Sequence, residues 1–500
     1  MAKHPIPEAC DFVGEWWLPA QGTIPRIAGT LSWSSKRASL KLHESFMPLR
    51  GAVYGDEVHS YPTIHGTTVD SKLISVLEAS GSGSGVNFGP AGLRQTEMVV
   101  SSWVVVGAHV GPETTYIEMR ARMPGLQMWI GRTGVTQTIL HKSEHSGPGV
   151  VYNIEGLPEE ETPIPSLNAT IGWGIDRTFS GDLISEISVR SSACLRVRPE
   201  EPKTLEWFIE QFGKATTVLS FLAGSPMSPD HFAARVAASG ADVEALVALR
   251  QAEYCDFKHV HDFYMLRNNM GVDLGAVFSK WFGLYDSVAM PSQLTLSVFN
   301  SKDLWLHVEF LSLMQALEGF HRATMPGLYT CRSQYESIEQ VLSNAIPNTV
   351  APDHRAALKS RIKYGNEVSL RKRLEAIVGR LSLPLRQQIL GGNGVVPQPW
   401  VDTRNYYTHW DEASREQVLD GLEMHRACVR MRHLLRALFL DLTGIPQDAI
   451  AMSMRNANSE SQYLIQINNT EQRKRNPSST AGALMRIDVR DAESPDESAS

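Results

Sequence analysis

No stretch of the 500 residues approaches the ~20 consecutive apolar residues that a membrane-crossing helix needs. The opening, MAKHPIPEACDFVGEWW, has no apolar core of the kind that directs secretion, so a cytoplasmic location with no membrane partner is expected. Cysteine is scarce and scattered. Cys10, Cys194, Cys255, Cys331 and Cys428 are odd in number and never form C-x-x-C, which argues against a disulfide framework or a zinc ribbon and fits a reducing compartment. The net charge of -7 gives no chain-wide attraction for a polyanion, so any nucleic-acid surface must be local. The G-x-S-x-G elbow of serine hydrolases and the H-E-x-x-H helix of zinc proteases are both missing.

What is present is an ordinary globular composition, 42% hydrophobic and 20% charged, on a chain long enough for two or three domains. Residues 11–228 read mainly as short strands: PRIAGTLSWS, ASLKLHESF, KLISVLEAS, EMVVSSWVVVGAHV, TTYIEMRARM and SEISVRSSACLRVRP are rich in Val, Ile, Thr and Trp and often alternate. Their spacing predicts antiparallel sheets, sandwich-like or barrel-like. SGSGSGVNFGPAG (80–92) resembles a phosphate loop only in its glycines. It lacks the Gly-Lys-Ser/Thr ending and no helical pattern follows, so a hairpin connection is expected.

From about residue 229 the apolar period becomes helical. Residues 229–274 read as a helical connector capped by Ser228 or Asp230, and 275–450 as an all-α bundle. Within the bundle, Val308, Leu311, Met314 and Leu317 mark one helix that Pro326 ends. Further helices are expected at 333–345, 352–363, 368–381 and 384–391. The longest runs from Ser414 to about Leu442, with Ser414 and Gln417 as a capping box. Residues 455–500 are polar, acidic at the end and Ser-rich, and read as a disordered tail. The fold class is therefore α+β multidomain, with a β-rich first half and a helical second half.

VDTRNYYTHWD (401–411) carries the most pointed chemistry. On a helix Asn405 and His409 share a face, about 6 Å apart along the axis, and Arg404 reaches the same space. Imidazole, guanidinium and amide together suit cleavage of a phosphodiester without metal. A histidine can move the proton of a ribose 2′-OH or of the leaving oxygen, while an arginine holds the phosphate and offsets its growing charge. One helix supplies one His, and acid and base are usually two groups, so a second copy of the chain is expected to complete the site. Spacing alone does not single this stretch out. Arg followed by His after four to six residues also occurs at Arg37–His43 and Arg426–His433, both with Ala after the Arg. The plain alternative is a helix end with Arg404 and Asp411 as surface charges and the two tyrosines in the core.

DTRNYYTHWD resembles the R-x4-H motif of HEPN ribonucleases, and with LSLMQALEGFHR and YYTHWDE it is similar in particular to the HEPN domain of ApeA-like phage-defence proteins. GEWWLP, IAGTLSW, ASLKLH and TIHGTTVDSKLISVLEA resemble the β-rich domain that precedes it in those proteins, so the likeness spans about 11–450 in matching order. The resemblance implies a helical bundle that dimerises, or forms a larger even-numbered oligomer, and cuts RNA without metal or cofactor. It implies 2′-OH attack leaving 2′,3′-cyclic phosphate and 5′-OH ends, in abortive infection set off by a phage-derived trigger. Arg404 would bind the scissile phosphate, His409 transfer protons and Asn405 position both. Glu318 and Arg322 resemble the E-x3-K/R pair of some HEPN nucleases; their plain reading is an i, i+4 ion pair. A transfer RNA is the substrate class the resemblance suggests.

The most basic segment, HRAALKSRIKYGNEVSLRKRLEAIVGR, offers Lys359, Arg361, Lys363, Arg371, Lys372 and Arg373 as an RNA-binding face or as an ordinary solvated helix surface. Tyr406 can stack on an unpaired base or pack in the core. His141 with His145, and His259 with His261, have spacings a metal can use but no evident further ligands, so no metal site is expected. Two other functions stay open. One is a non-catalytic HEPN module that dimerises or binds a partner protein or nucleotide. The other is a carbohydrate-binding or carbohydrate-active β half, which would need two facing carboxylates. The β half has no catalytic constellation of its own and is expected to sense the trigger.

Overall fold

The computed structural model describes residues 9–19, 26–34, 37–46, 59–89, 92–140, 149–182, 184–248, 257–301, 303–410, 412–455 and 459–475. The chain divides into two compact units, Met1–Tyr285 and Asp286–Ser500.

In the first unit six strands close on themselves: β1 (Ala9–Trp17), β2 (Ile27–Ser34), β3 (Arg37–Leu42), β4 (Ser60–Thr68), β5 (Leu73–Gly89) and β6 (Gly92–Ser101). Antiparallel pairing runs β1–β2–β3–β6–β5–β4 and returns to β1, so this barrel has no free edge. Alternate residues point inward, and Trp16, Leu31, Leu40, Ile64, Ile74 and Val99 fill the interior. Gly66 lies flat against the Trp16 ring, where a Cβ would come within 2.3 Å of the indole. The expected hairpin at 80–92 is the β5–β6 ribbon, paired out to Gly89 and Gly92.

β7 (Trp103–Val106) pairs with β5 and leads into an antiparallel run made by β8 (Thr115–Arg122), β11 (Glu160–Ile164), β12 (Ala169–Asp182), β13 (Glu186–Pro199), β15 (His231–Val236) and β16 (Asp242–Val247). The short β14 (Lys203–Thr204) adds to β8, and β9 (Val135–Leu140) pairs with β10 (Gly149–Ile154) as a separate hairpin. Helices α1 (Leu126–Ile130) and α2 (Leu205–Ala223) belong to the same unit.

The helical connector expected at 229–274 is corrected. Its first half is the β15–β16 hairpin, in which Phe232, Ala234 and Val236 alternate inward and Gly240, with φ of 67°, makes the turn. Ala-rich sequence with apolar residues three and four apart imitates a helix, but the period-2 face is the one the sheet buries. The residues after it hold two short 3-10 turns, Val260–Asp262 and Arg267–Asn269. Conversely α2 lies inside the half read mainly as strands. Its Phe, Thr and Val content favours strand locally, and burial on several sides hides the helical period.

The division between the units falls within α3 (Leu274–Phe299). The second unit continues with α4 (Leu306–Thr324), α5 (Arg332–Asn344), α6 (Pro352–Lys363), α7 (Leu370–Gly379), α8 (Leu383–Leu390), α9 (Gln398–His409), α10 (Gly421–Leu442), α11 (Gln447–Ser453) and α12 (Ser459–Arg475). α4 and α10 form its centre. Phe310, Leu313, Leu317 and Phe320 meet Leu434, Leu435, Leu438 and Phe439, all at most 1% exposed, with the Phe320 and Phe439 rings 5.2 Å apart edge to face. α5 and α6 differ in kind. They form a helical hairpin in which neither helix buries a residue, joined at its base where Leu328 bridges Glu367.

Two helix boundaries depart from expectation. α10 begins at Gly421, with the Asp420 side chain accepting from the Glu423 N–H at 2.7 Å, and residues 412–417 form a 3-10 segment. The Thr403 hydroxyl accepts the Leu419 N–H, which ties the chain to α9 just before the helix starts. The tail is ordered further than its polarity suggests. α12 buries Ser461, Leu464 and Ile467, and Arg430 and Arg436 of α10 reach Glu471 and Glu460 on it. The low hydrophobicity of this segment reflects charged side chains spent on ion pairs with α10. Residues 476–500 of the expected tail lie outside the described residues. Among those that are described, no helix is long and apolar enough to cross a membrane.

Candidate active site

α9 is held by one face. Trp400, Val401 and Thr403 are buried at 2%, 7% and 0% exposure, which turns Arg404 and Asn405 toward a half-open surface beside α4. Arg404 Nη2 donates to Glu318 Oε2 of α4 at 3.4 Å, and its Nη1 donates to Asn405 Oδ1 at 3.4 Å. His409 is the last residue of α9, one turn beyond Asn405, and is exposed. Trp410 ends the helix in the left-handed region (φ 52°, ψ 40°), its N–H bonded to the Tyr406 carbonyl at 2.6 Å.

Glu318 is shared. Arg322, one turn along α4, donates to its Oε1 at 3.1 Å and to Glu367 Oε2 at 2.8 Å. Glu367 also accepts from Arg373 Nη2 at 2.9 Å, and Arg373 Nη1 meets His321 Nδ1 at 3.2 Å. A chain of alternating charge thus runs Arg404–Glu318–Arg322–Glu367–Arg373. Burial opposes the Arg322 charge, but Glu367 and Glu318 outweigh it and raise its pKa above the usual arginine value. Burial, with Arg373 and Arg322 close by, pushes His321 below the ordinary histidine value. Since arginine only donates, His321 Nδ1 accepts and the ring is neutral.

A profile of ApeA N-terminal domain 1 matches residues 11–281, more than half of the chain, and a profile of Apea-like HEPN matches 311–449. The chain belongs to the ApeA-like HEPN proteins. No curated protein and no solved structure matches it. The HEPN match contains Glu318, Arg322, Arg404, Asn405 and His409, and the fold brings the first four of these side chains into one connected group.

The basic segment of the HEPN domain divides. Lys359, Arg361 and Lys363 are exposed on α6. Lys372 is exposed with its Nζ 4.6 Å from the Tyr329 ring, and Arg371 is engaged by Glu375 at 2.6 Å and Gln398 at 3.1 Å. Arg373 is 2% exposed and committed to Glu367, His321 and the Val368 carbonyl, so its expected place on an outward RNA-binding face is corrected. A run of six cations at 359–373 does not reveal in sequence which one turns inward. Glu367 and His321 were missed for the same reason, as each is one polar residue on a helix flank until the fold joins them.

Tyr406 and Tyr407 are half-buried, and neither is a core residue. Of the other Arg-to-His spacings, Arg37 is on β3 of the first unit, and His433 of α10 is fully buried. His259 caps the 3-10 turn that follows it, in a reciprocal arrangement with Asp262. His141 and His145 lie outside the described residues, as does Asp411. Among the described residues no group of three or more His, Cys, Asp and Glu is placed to share a metal.

Proposed function

We propose that the HEPN domain is a metal-independent endoribonuclease of antiphage defence, with Arg404, Asn405 and His409 as its reacting group and Glu318 and Arg322 as positioning residues. The observation that carries this reading is the placement of Arg404. It is held by one carboxylate and partly exposed, with His409 one helical turn beyond its neighbour Asn405.

The chemistry follows from that donor set. Arg404 is paired with Glu318 over a long contact of 3.4 Å, so a phosphate can take over its outward N–H groups while the carboxylate keeps the guanidinium in place. The negative charge that grows on the phosphoryl oxygens as phosphorus becomes pentacoordinate is offset by the Arg404 guanidinium. His409 takes the 2′-OH proton, the 2′-oxygen attacks phosphorus, and the 5′-oxygen leaves with a proton from a second acid. That acid is His409 of a second copy, which makes the working form a dimer or a larger even-numbered assembly. In this reading the barrel-bearing unit senses the phage trigger.

The test is cleavage of RNA by the whole protein in EDTA, wild type beside His409→Ala, with and without lysate of phage-infected cells, reading the product ends. Cleavage that survives EDTA, leaves 2′,3′-cyclic phosphate and disappears in the variant is the expected result. Cleavage abolished by EDTA and indifferent to His409 would overturn the assignment. An inert wild type that still forms a dimer would favour the non-catalytic module.

A further inference from the structure

Five rings adjoin one another on the surface that carries Arg404 and His409. Trp305, just before α4, lies 6.3 Å from His307, and His307 stacks on Tyr407 of α9 at 5.8 Å with an interplanar angle of 13°. Tyr407 meets Tyr406 edge to face at 5.3 Å, and both meet Trp410, at 6.2 and 6.1 Å. Two members of this group are costly to leave in water: Trp305 is 77% exposed and Trp410 70%. His307 is exposed as well.

Trp410 bears a second cost. A helix commonly ends in the left-handed conformation, but glycine or asparagine is the usual residue there, and a bulky side chain at φ 52° is strained. The strain is held at the residue next to His409. Strain and exposed aromatic surface coincide where a reacting phosphate would lie.

We propose that Trp305, His307, Tyr407 and Trp410 form a stacking surface that holds an unpaired nucleotide base next to the scissile phosphate. The inference rests on the ribonuclease reading above and assigns the side chains that receive the base. Aromatic faces accept any base, whereas a base inside an A-form helix presents no free face to them. The cations of the site complete the match, since Arg404 lies on the same helix as Tyr406, Tyr407 and the Trp410 cap. Each of these rings also carries a polar edge, an indole N–H, an imidazole nitrogen or a phenol O–H, able to meet base edges. The exposed stripe on α5, Ile338, Val341 and Leu342, is apolar too but has no such edge.

Binding can be read without cleavage by using a fluorescent 2′-O-methyl oligonucleotide, which lacks the attacking hydroxyl. The probe is offered single-stranded or hybridised to its complement, to the whole protein and to Trp305→Ala, Trp305→Phe and Trp410→Gly. Glycine is chosen at 410 because it keeps the left-handed cap. The surface predicts that Trp305→Ala and Trp410→Gly each weaken single-strand binding about ten-fold, that Trp305→Phe restores most of it, and that duplex binding is unchanged. Equal binding by all four proteins, or no binding by the wild type, would overturn it. So would dissociation of the alanine variant to a monomer in light scattering with single-strand affinity per subunit unchanged, which would make the rings a contact between copies. Tryptophan-dependent binding by a protein that cuts nothing would sink the ribonuclease reading and leave the stacking surface standing. Cleavage insensitive to both tryptophans would do the reverse.

Discussion

Glu318 on α4 and Arg404 on α9 are 86 residues apart in sequence and 3.4 Å apart in the fold. This contact joins an ordinary-looking i, i+4 pair to the R-x4-H helix, and the first prediction is built on it. Glu318→Gln keeps the shape of the side chain but leaves Arg404 without its carboxylate, while Arg322 retains Glu367. Charged hydrogen bonds contribute about 1.5–3 kcal/mol, and this one is long, so kcat/KM for RNA cleavage should fall about ten-fold with thermal stability near wild type. Unchanged kcat/KM in a folded variant would separate Glu318 from the reaction.

Arg373 should behave as a structural residue. Replacing it with methionine fills its volume but strands Glu367 beside Arg322 alone and leaves His321 Nδ1 and the Val368 carbonyl without their donor. Glu367 is partly solvated, which softens the loss. A destabilisation of about 2–3 kcal/mol is expected, visible in urea unfolding, against a change within ~0.5 kcal/mol for Lys359→Ala on the exposed face of α6.

The exposed cations of α6 are expected to act through phosphate contacts. Replacing Lys359, Arg361 and Lys363 together by alanine should leave melting unchanged and reduce the salt dependence of single-stranded RNA binding. The log–log slope should fall by about 2 if all three neutralise a phosphate. An identical slope would show that RNA does not follow this helix.

Acid should loosen α12 from α10. Burial holds the His433 pKa at about 4, well below the ordinary histidine value. Burial raises Glu460, but Arg436, His433 and Arg432 outweigh it and bring the carboxyl to about 2. A histidine depressed in the folded state contributes stability above its unfolded pKa and loses it as pH falls toward the folded value. The carboxylate follows the same direction lower down. The unfolding free energy should therefore decline between about pH 6.5 and pH 4, by an amount on the order of 3 kcal/mol from the histidine alone, and the melting temperature should fall with it. His433→Phe should flatten that part of the profile, and a slope of the opposite sign would refute the assignment.

Residues whose signal is local were readable from sequence. The helices at 332–344, 352–363, 370–379 and 383–390 begin and end within two residues of where apolar spacing, Pro and Ser place them. The alternating strands read as antiparallel sheets, sandwich-like or barrel-like, and six of them close into the barrel, while the Gly-rich stretch read as a hairpin connection is the β5–β6 ribbon. What failed were features that only a partner in space decides. The β15–β16 hairpin owes its strands to β8 and β7, not to its Ala-rich composition. α12 looks like a solvated tail until Arg436 and Arg430 stand opposite its glutamates. The inward turn of Arg373, and the meeting of Trp305 and His307 with α9, depend on chain positions far apart in sequence.

The hairpin of α5 and α6 leaves and rejoins the bundle at one point, where Leu328 bridges Glu367 and where Val368 and Tyr329 exchange main-chain bonds with Gly327 and Asn366. Because neither helix buries a side chain, lengthening, trimming or replacing them would remove nothing from the core. The bundle can therefore carry different arms at this position while Glu367, at the seam, keeps its grip on Arg322.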